Sequence, residues 1–279
     1  MRRLGVIGWP VAHSRSPAMF EAAFAACGME DWSYQRLPLP PELFEETVRA
    51  LPASGFVGAN VTIPHKQAAL ALADCASDAA TAIGAANTLT FAPDGTIEAQ
   101  NTDAPGLIAA LDRLTGMPAH LSALVLGAGG SARAAVWGLL DAGAASVSVW
   151  NRTPERAREL TGELGGLAVD RPVQADLLVN CTSVGLQRSA TDEQALNQLG
   201  MTVDQVGSYA YVVDLVYNGE PTGSSGPAHP TPLLAAALHC GVPNLLSGLE
   251  VLVAQGALSF ELWAGRPAPL EAMRRGAGL

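Results

Sequence analysis

Lysine is almost missing from this chain of 279 residues, because Lys66 stands alone among 15 arginines. Where a surface cation only needs solvation, this protein uses arginine, whose guanidinium does not give up its proton at ordinary pH. A site that retains lysine therefore indicates a need for an ammonium group that can release a proton. Chance survival in a lysine-poor composition explains the same observation equally well.

Charged residues are also scarce, at 15% of the chain, and their balance is acidic, with a formal net charge of −10. The shortage of positive charge excludes nucleic acid and an anionic membrane as main partners, because both bind basic surfaces. We expect a small-molecule substrate, and an anionic one must be held by local donors. Long uncharged runs are lacking too: the apolar segment Leu245 to Trp263 contains two glutamates, so no transmembrane helix is expected.

The four cysteines are too few and too scattered for a disulfide framework or a metal site. Cys27, Cys75, Cys181 and Cys240 form no C-x-x-C pair and have no histidine at metal-ligand spacing. We therefore expect reduced thiols, no metal and a cytoplasmic protein. The oligomeric state stays open between a monomer and a homodimer.

Apolar residues are abundant, at 49%, in a chain long enough for two α/β domains with separate cores. Over the first hundred residues, short apolar runs alternate with helical stretches, which predicts an open α/β sheet of mixed strand direction. From residue 123 onward, the order strand, glycine turn, helix, strand predicts a doubly wound parallel sheet of the Rossmann type. The predicted domains are 1–103 plus 246–279 for the first sheet and 104–245 for the second, with a cleft between them.

A glycine-rich turn marks a candidate nucleotide site. A G-x-G-x-x-A pattern follows a strand and opens a helix, and its first residues are Gly127, Ala128, Gly129, Gly130 and Ser131. The glycines permit a tight turn and close backbone approach, so the helix N-terminus can receive a pyrophosphate. A glycine turn without a ligand is the alternative, and the strand–turn–helix context disfavours it.

The end of the next strand favours NADP as the dinucleotide. Domains that bind NAD usually place Asp or Glu there to bind the ribose hydroxyls. Here the strand ends in Asn151, Arg152 and Thr153, with Arg156 nearby. The carboxylate is missing, and two guanidiniums provide the charge that the additional phosphate of NADP requires. The missing carboxylate also counts against a methyltransferase that binds S-adenosylmethionine.

Four segments of the first domain carry polar residues where apolar ones would pack better. Lys66 lies in the first turn of a predicted helix, where the macrodipole repels a cation, so its retention favours a role in proton transfer. Ser14 and Ser16 stand beside another predicted helix start and suit a carboxylate, although Ser16 is also a plausible N-cap. Asn87 begins a strand, and Asp103 precedes a helix, where N-capping is the simpler explanation for that residue alone.

Six motifs occur in order along the chain: G-x-P-x-x-H-S-x-S-P, N-V-T-I-P-H-K, G-A-A-N-T-L, N-T-D-x-x-G, G-A-G-G-x-A-R-A and N-R-T-x-x-R. Together with D-L-V-Y, T-P-L-L and L-V-A-Q further along the chain, they resemble the shikimate dehydrogenase family from end to end. The N-V-T-I-P-H-K and N-T-D pair is highly specific. The glycine turn with N-R-T-P-E-R is similar to glutamyl-tRNA reductases as well.

The resemblance implies an NADP-dependent oxidoreductase that reversibly reduces 3-dehydroshikimate to shikimate, in the biosynthesis of chorismate and the aromatic amino acids. It implies that Lys66 is the acid/base and that Asp103 orients the reacting group. A hydride acceptor needs both a proton donor on oxygen and rigid positioning.

The resemblance also implies the binding residues. The substrate carboxylate would be held by Ser14, Ser16 and Tyr217. The ring hydroxyls would be bound by Thr62, Asn87, Asp103 and Gln255. The nicotinamide would lie near Leu215 and Gly248, with the phosphates of the cofactor on the glycine turn and on the segment from Asn151 to Arg156.

Three features depart from the family pattern. The connection 218–230 is longer than usual and is interpreted as a surface loop, the segment 187–211 differs, and Glu250 stands where the family often has a small residue.

Three rival functions remain. A quinate or aminoshikimate dehydrogenase ranks second. A non-catalytic NADP-binding regulator would have no reason to keep Lys66 with Asp103, and glutamyl-tRNA reductase would need a catalytic cysteine, whereas Cys27 lies in an apolar helix pattern.

Overall fold

A computed structural model describes residues 1–116, 119–186, 191–217 and 230–279. The chain forms two compact units: unit 1 is Met1–Gly106 with Leu252–Leu279, and unit 2 is Leu107–Val251. The predicted domain boundaries fell at 103/104 and 245/246, and the compact units change at 106/107 and 251/252. Most of the predicted surface loop, residues 218–229, lies outside the described residues, and so do residues 187–190.

The secondary structure elements are numbered along the chain. The strands are β1 (Arg2–Gly8), β2 (Trp32–Pro38), β3 (Gly58–Val61), β4 (Cys75–Ala76), β5 (Thr88–Phe91), β6 (Ile97–Gln100), β7 (Ser122–Leu126), β8 (Ser146–Trp150), β9 (Leu167–Ala168), β10 (Leu177–Asn180), β11 (Tyr211–Asp214) and β12 (Asn244–Ser247). The helices are α1 (Ser16–Ala26), α2 (Phe44–Ala50), α3 (Lys66–Leu72), α4 (Asp78–Ile83), α5 (Asp103–Thr115), α6 (Gly130–Asp141), α7 (Pro154–Leu164), α8 (Asp192–Gln198), α9 (Val203–Val206), α10 (Pro232–His239), α11 (Gly248–Ala264) and α12 (Leu270–Ala277).

Unit 1 is built on a mixed sheet in the order β2-β1-β3-β5-β6-β4. β1 is parallel to β2 and β3, whereas β5 is antiparallel to β3 and β6. Because side chains alternate along a strand, β1 supplies both layers of the core: Leu4 packs in one cluster with Phe20 and Phe260, and Ile7 in another with Phe44. The predicted mixed α/β sheet is confirmed.

Unit 2 has a sheet in the order β12-β11-β10-β7-β8-β9, and its strand pairs are parallel. Read from the other edge, this is the 3-2-1-4-5-6 order of doubly wound dinucleotide-binding domains. The central strand β10 is buried throughout, as expected when helices cover both faces of a parallel sheet. The predicted doubly wound sheet is confirmed.

Several short elements were not predicted. β4 and β9 have two residues each, too few for an alternating pattern. β12, which pairs with β11 in the sheet of unit 2, was not predicted either. Pairing across the sheet decides the conformation of such short apolar runs, because their periodicity alone does not distinguish a strand from a helix.

Three further features concern membranes, thiols and metals. Among the described residues, no helix combines the length and apolar character of a membrane span. The four cysteines are free thiols. In the same part of the chain, no group of three or more His, Cys, Asp and Glu side chains is placed to bind a metal ion.

A buried carboxylate joins three segments at the carboxyl end of the second sheet. Asp214 ends β11, is 1% exposed, and accepts hydrogen bonds from Asn180 Nδ2 at 2.9 Å, the Val216 backbone N–H at 3.0 Å and the Thr231 hydroxyl. Thr231 in turn caps α10 by accepting from the Leu234 N–H. Burial raises the pKa of Asp214 to about 6, and the three hydrogen bonds, which favour the charged form, offset this only in part.

We predict that Asp214 makes folding stability depend on pH. Its folded-state pKa lies above the ordinary value of 3.8, so the stabilisation from its protonation is complete below that value and is lost as pH rises through about 6. The Asp214→Asn variant cannot titrate at this position. Between about pH 4 and about pH 7, the free energy of unfolding of the wild type should fall by roughly 2.5 kcal/mol relative to the variant.

Urea denaturation of both proteins across this pH range measures the difference. Groups that titrate in both proteins cancel, and so does any constant cost of the substitution. Parallel pH profiles would contradict the prediction.

Candidate functional site

The four polar segments of unit 1 meet at one edge of its sheet. The registers Val6↔Asn60, Asn60↔Thr88 and Thr88↔Gln100 connect β1, β3, β5 and β6 side by side. β1, β3 and β6 end at this edge, and the antiparallel strand β5 begins there. The residues that follow three of these strands and precede the fourth are therefore neighbours in space, although they are far apart in sequence.

The two predicted catalytic residues are in direct contact at this edge. Lys66 is the first residue of α3 and Asp103 is the first of α5. Lys66 Nζ donates a hydrogen bond to Asp103 Oδ2 at 2.6 Å, and the two side chains are 10% and 19% exposed. Opposite charges so close and so sheltered from water hold each other in one geometry.

Asp103 does not cap its helix through its own side chain, although N-capping was the simpler sequence-based explanation. Asn101 Oδ1 accepts the hydrogen bond from the Ala104 backbone N–H at 3.1 Å. The Asp103 carboxylate instead uses Oδ2 for Lys66 and Oδ1 for Asn87 Nδ2, at 2.9 Å. Within the sequence N-T-D, Asn101 therefore binds the free backbone N–H at the helix start, and the carboxylate of Asp103 contacts Lys66 and Asn87.

Backbone groups determine which way the amide of Asn87 faces. Its Oδ1 accepts from the Thr102 backbone N–H at 2.7 Å, and because an N–H only donates, Nδ2 must point the other way. Nδ2 donates towards Asp103 and towards Gln255 Oε1 at 3.1 Å. Gln255 is oriented in the same manner, since its Nε2 donates to the Leu252 carbonyl at 2.9 Å.

Behind Asn87 lies a buried hydrogen-bond network that the sequence analysis did not identify. The hydroxyls of Thr88, Thr102 and Ser259 lie 2.9–3.2 Å from one another. Asn60 Nδ2 donates to Ser259 Oγ at 2.9 Å, and the Tyr34 hydroxyl donates to Asn60 Oδ1 at 2.8 Å. Buried polar groups paired in this way rigidify the residues they contact, here Asn87 and its neighbours.

Some of these residues carried a signal in the sequence. Asn60, Thr88 and Thr102 lie inside the motifs quoted above, at the ends of strands. Ser259 is a single hydroxyl in an apolar stretch of α11, one helical turn after Gln255, and only its burial reveals its role.

Gly106, the glycine of N-T-D-x-x-G, permits the approach of Gln255. A Cβ atom at Gly106 would lie 2.7 Å from both the backbone nitrogen and the Cβ of Gln255. Real side chains do not pack so closely, so only glycine lets α5 approach α11 at this point. The amide of Gln255 reaches Asn87 for this reason.

Ser14 and Ser16 form a compact turn before α1. Both are 4% exposed, and the Ser16 backbone N–H donates to Ser14 Oγ at 3.3 Å. Ser16 is the first residue of the helix and Arg15 occupies the N-cap position, so the predicted N-cap role of Ser16 is wrong by one position. Pro17 supplies no backbone N–H to the first turn of this helix.

The remaining residues predicted to contact the substrate or the nicotinamide divide between the units. Thr62 is half-buried after β3 in unit 1, and its backbone N–H donates to the Ile7 carbonyl at 2.8 Å. Tyr217 and Leu215 follow β11 in unit 2 and are half-buried. Gly248 begins α11 directly against the Leu215 carbonyl, where a Cβ atom would clash.

The glycine turn of unit 2 has room for a ligand. Gly127 follows β7 with φ +109°, and its N–H donates to the Trp150 carbonyl at 2.8 Å, which ties the turn to β8. Gly129 is the N-cap residue of α6, and apart from its chain neighbours no described atom lies within 4 Å of where its Cβ would be. Ala128, Gly130 and Ser131 are half-buried around it. The start of this helix is therefore open to a phosphate-bearing group.

Two arginines after β8 are available for an anion. Arg152 and Arg156 are exposed and, among the described residues, form no ion pair, whereas Arg158 pairs with Glu155 at 3.5 Å and Asp170 at 3.2 Å. Asn151 Nδ2 donates to the carbonyl of Thr153, the exposed N-cap residue of α7, at 2.8 Å and shapes this turn.

Family models match three stretches of the chain. Residues 6–89 match the shikimate dehydrogenase substrate binding domain, residues 111–184 match shikimate / quinate 5-dehydrogenase, and residues 248–275 match the shikimate 5'-dehydrogenase C-terminal domain. The three matches cover parts of both compact units.

Individual relatives are similar over nearly the whole length. The shikimate dehydrogenase (NADP(+)) of Methylobacterium radiotolerans is 43% identical over 94% of this chain and 91% of its own, and that of Methanothermobacter thermautotrophicus is 39% identical over 96% and 93%. The crystal structure of shikimate 5-dehydrogenase from Thermus thermophilus in complex with NADP(H) and shikimate is 38% identical, with a TM-score of 0.83 over 99% of this chain and 98% of that one. The chain therefore belongs to the shikimate dehydrogenase family.

Proposed function

We propose that this protein is an NADP-dependent shikimate dehydrogenase that reversibly reduces 3-dehydroshikimate to shikimate, as a cytoplasmic step in the biosynthesis of chorismate and the aromatic amino acids. The observation that carries the proposal is the sheltered contact of Lys66 with Asp103, whose carboxylate is held by Asn87. A relative of known structure binds NADP(H) and shikimate.

Lys66 is the acid and base of the proposed reaction. In the reductive direction its ammonium gives a proton to the oxygen on the ring carbon that is reduced, and in the oxidative direction the amine takes that proton back. Asp103 accepts a hydrogen bond from Lys66 and thereby holds Nζ in place. Bound NADPH supplies the hydride.

The ring hydroxyls would be bound by Thr62, Asn87, Asp103 and Gln255. The amides of Asn87 and Gln255 already have defined directions, with one donor and one acceptor facing each other at 3.1 Å. A hydroxyl group both donates and accepts, so it can replace this contact without leaving either amide unpaired. An analogue without that hydroxyl would leave a buried group unpaired and bind poorly.

The substrate carboxylate would be held by Ser14, Ser16 and Tyr217. Two buried serines beside the start of α1 offer hydroxyl donors where the helix macrodipole favours negative charge. The presence of both serines supports a substrate with a carboxylate on its ring.

Unit 2 would hold the cofactor. The turn from Gly127 to Ser131, including Ala128, Gly129 and Gly130, suits the pyrophosphate, and Leu215 and Gly248 would contact the nicotinamide. Asn151, Arg152, Thr153 and Arg156 suit the phosphate that distinguishes NADP from NAD. The open space at Gly129 and the two arginines without an ion pair among the described residues support this fit.

A substrate and cofactor panel tests the proposal against its rivals. The purified chain is assayed with shikimate, quinate and aminoshikimate, each with NADP and with NAD. We expect the highest kcat/KM for shikimate with NADP. Oxidation of quinate with NAD alone would show a quinate dehydrogenase, and binding of NADP without turnover of any of the three would show a regulator.

We predict that Lys66→Met lowers kcat by about 100- to 10,000-fold, the usual contribution of a positioned acid or base. Lys66→Arg should lose turnover as well, because it keeps a cation beside Asp103 but does not release the proton. NADPH binding, measured by fluorescence titration, should be unchanged in both variants, since the cofactor residues lie in unit 2. Turnover near that of the wild type in either variant would remove Lys66 from the mechanism.

We predict that the Arg152→Gln and Arg156→Gln double variant loses its preference for NADP. Each charge-assisted hydrogen bond to a phosphate contributes about 1.5–3 kcal/mol, so kcat/KM with NADP should fall at least about tenfold. The value with NAD should stay the same, because NAD lacks that phosphate.

Arg158→Gln is the matched control for this experiment. Arg158 lies on the same helix but pairs with Glu155 and Asp170. Its loss should leave both kcat/KM values within about twofold, as expected for exposed ion pairs. An equal fall for NADP and NAD in the double variant would contradict the assignment.

A further inference from the structure

A partly buried arginine that the sequence analysis did not single out supports the serine turn. Arg36 lies in β2, opposite Val6 of β1, and its guanidinium donates to the Ser14 carbonyl from Nε at 3.1 Å and from Nη2 at 2.7 Å. A planar guanidinium with two donors on one oxygen restrains that oxygen firmly. Arg36 thus holds the residue whose hydroxyl would bind the substrate carboxylate.

Arg36 has no acidic side chain to neutralise it among the described residues. No Asp or Glu oxygen in that part of the chain lies within 4.0 Å of its guanidinium.

The neighbouring basic side chains have other contacts or favour a neutral form. The Arg15 Nη1 group donates to the Ala277 carbonyl at 3.2 Å, at the end of α12, and Lys66 pairs with Asp103. His13 precedes Ser14, and its pKa is lowered by burial and by the charge of Arg36, which favours its neutral form. Among these cations, Arg36 is the one whose guanidinium donates to the Ser14 backbone.

We propose that Arg36 is a specificity residue for the negative charge of the substrate, acting on the carboxylate that Ser14 and Ser16 bind. The proposal rests on the proposed function, because it concerns the same carboxylate. The Arg36 guanidinium donates to the backbone carbonyl of Ser14. A carboxylate bound to the hydroxyl of the same residue would therefore lie close to a positive charge. At such a distance, in a partly buried site, the attraction is strong enough to separate an anionic ligand from a neutral one of the same shape.

The test compares shikimate with its methyl ester, which keeps the ring hydroxyls and removes the charge. With saturating NADP, KM and kcat are measured for shikimate, and the inhibition constant of the ester is measured against shikimate. In Arg36→Gln we expect KM for shikimate to rise about tenfold with a smaller change in kcat. The inhibition constant of the ester should change less than about twofold, because the ester carries no charge.

Two further variants separate charge from support of the turn. Arg36→Lys keeps the positive charge and loses the planar fork, so its preference for shikimate over the ester should stay close to that of the wild type. Arg3→Gln is the matched control, since Arg3 also donates to a backbone carbonyl in unit 1, that of Ser54, but away from the serine turn. It should leave both constants unchanged.

Each outcome bears on the proposal. Arg36→Gln would overturn it by weakening the binding of shikimate and of the ester equally. Equal losses of the preference for shikimate over the ester in Arg36→Lys and Arg36→Gln would overturn it as well. If Arg36→Gln does not fold, the Arg36→Lys variant is combined with a measurement of salt dependence in the wild type. The KM of the wild type for shikimate should rise with ionic strength, and the inhibition constant of the ester should not change. A wild-type protein that does not oxidise shikimate would refute the proposed function instead.

Discussion

The site in unit 1 depends on keeping one ammonium and one carboxylate together where little water reaches them. Removing two charges from water is costly, and their attraction compensates only when hydrogen bonds satisfy their remaining atoms. Asn87 satisfies the second oxygen of Asp103, and backbone groups of Thr102 and Leu252 orient the amides around it. The polar residues behind Asn87 therefore help to support the ion pair of Lys66 with Asp103. The sheet edge brings the segments that carry these residues together.

Sequence patterns predicted the parts of the molecule that depend on local order. Both sheets, the glycine turn and the candidate residues at strand ends follow from periodicity, from turn residues and from the resemblance in the motifs. The pairing of Lys66 with Asp103 was implied by that resemblance and agrees with the parallel direction of β3 and β6, which places both strand ends at one edge. Short elements such as β12 were missed because their conformation is decided by strand pairing.

The sequence did not predict contacts that join distant segments. Ser259 lies more than 150 residues from Thr88 and Thr102, yet their hydroxyls form one group. Arg36 reaches Ser14 only because β2 pairs with β1 in a specific register. Capping at Asp103 was equally hidden, because Asn and Asp both suit a helix start and three-dimensional contacts decide which one takes that position. Side-chain direction, rather than residue type, was the missing information in each case.

The near absence of lysine gives this protein an unusual property for chemical labelling. Lys66 is its only side-chain amine, so a reagent selective for side-chain amines can modify the chain at a single internal position. An ammonium that donates to Asp103 has no lone pair for such a reagent, and it becomes nucleophilic only after it loses a proton. The rate of reductive methylation of this side chain would therefore report how often its amine is unprotonated, and its methyl groups would be a spectroscopic probe inside the site.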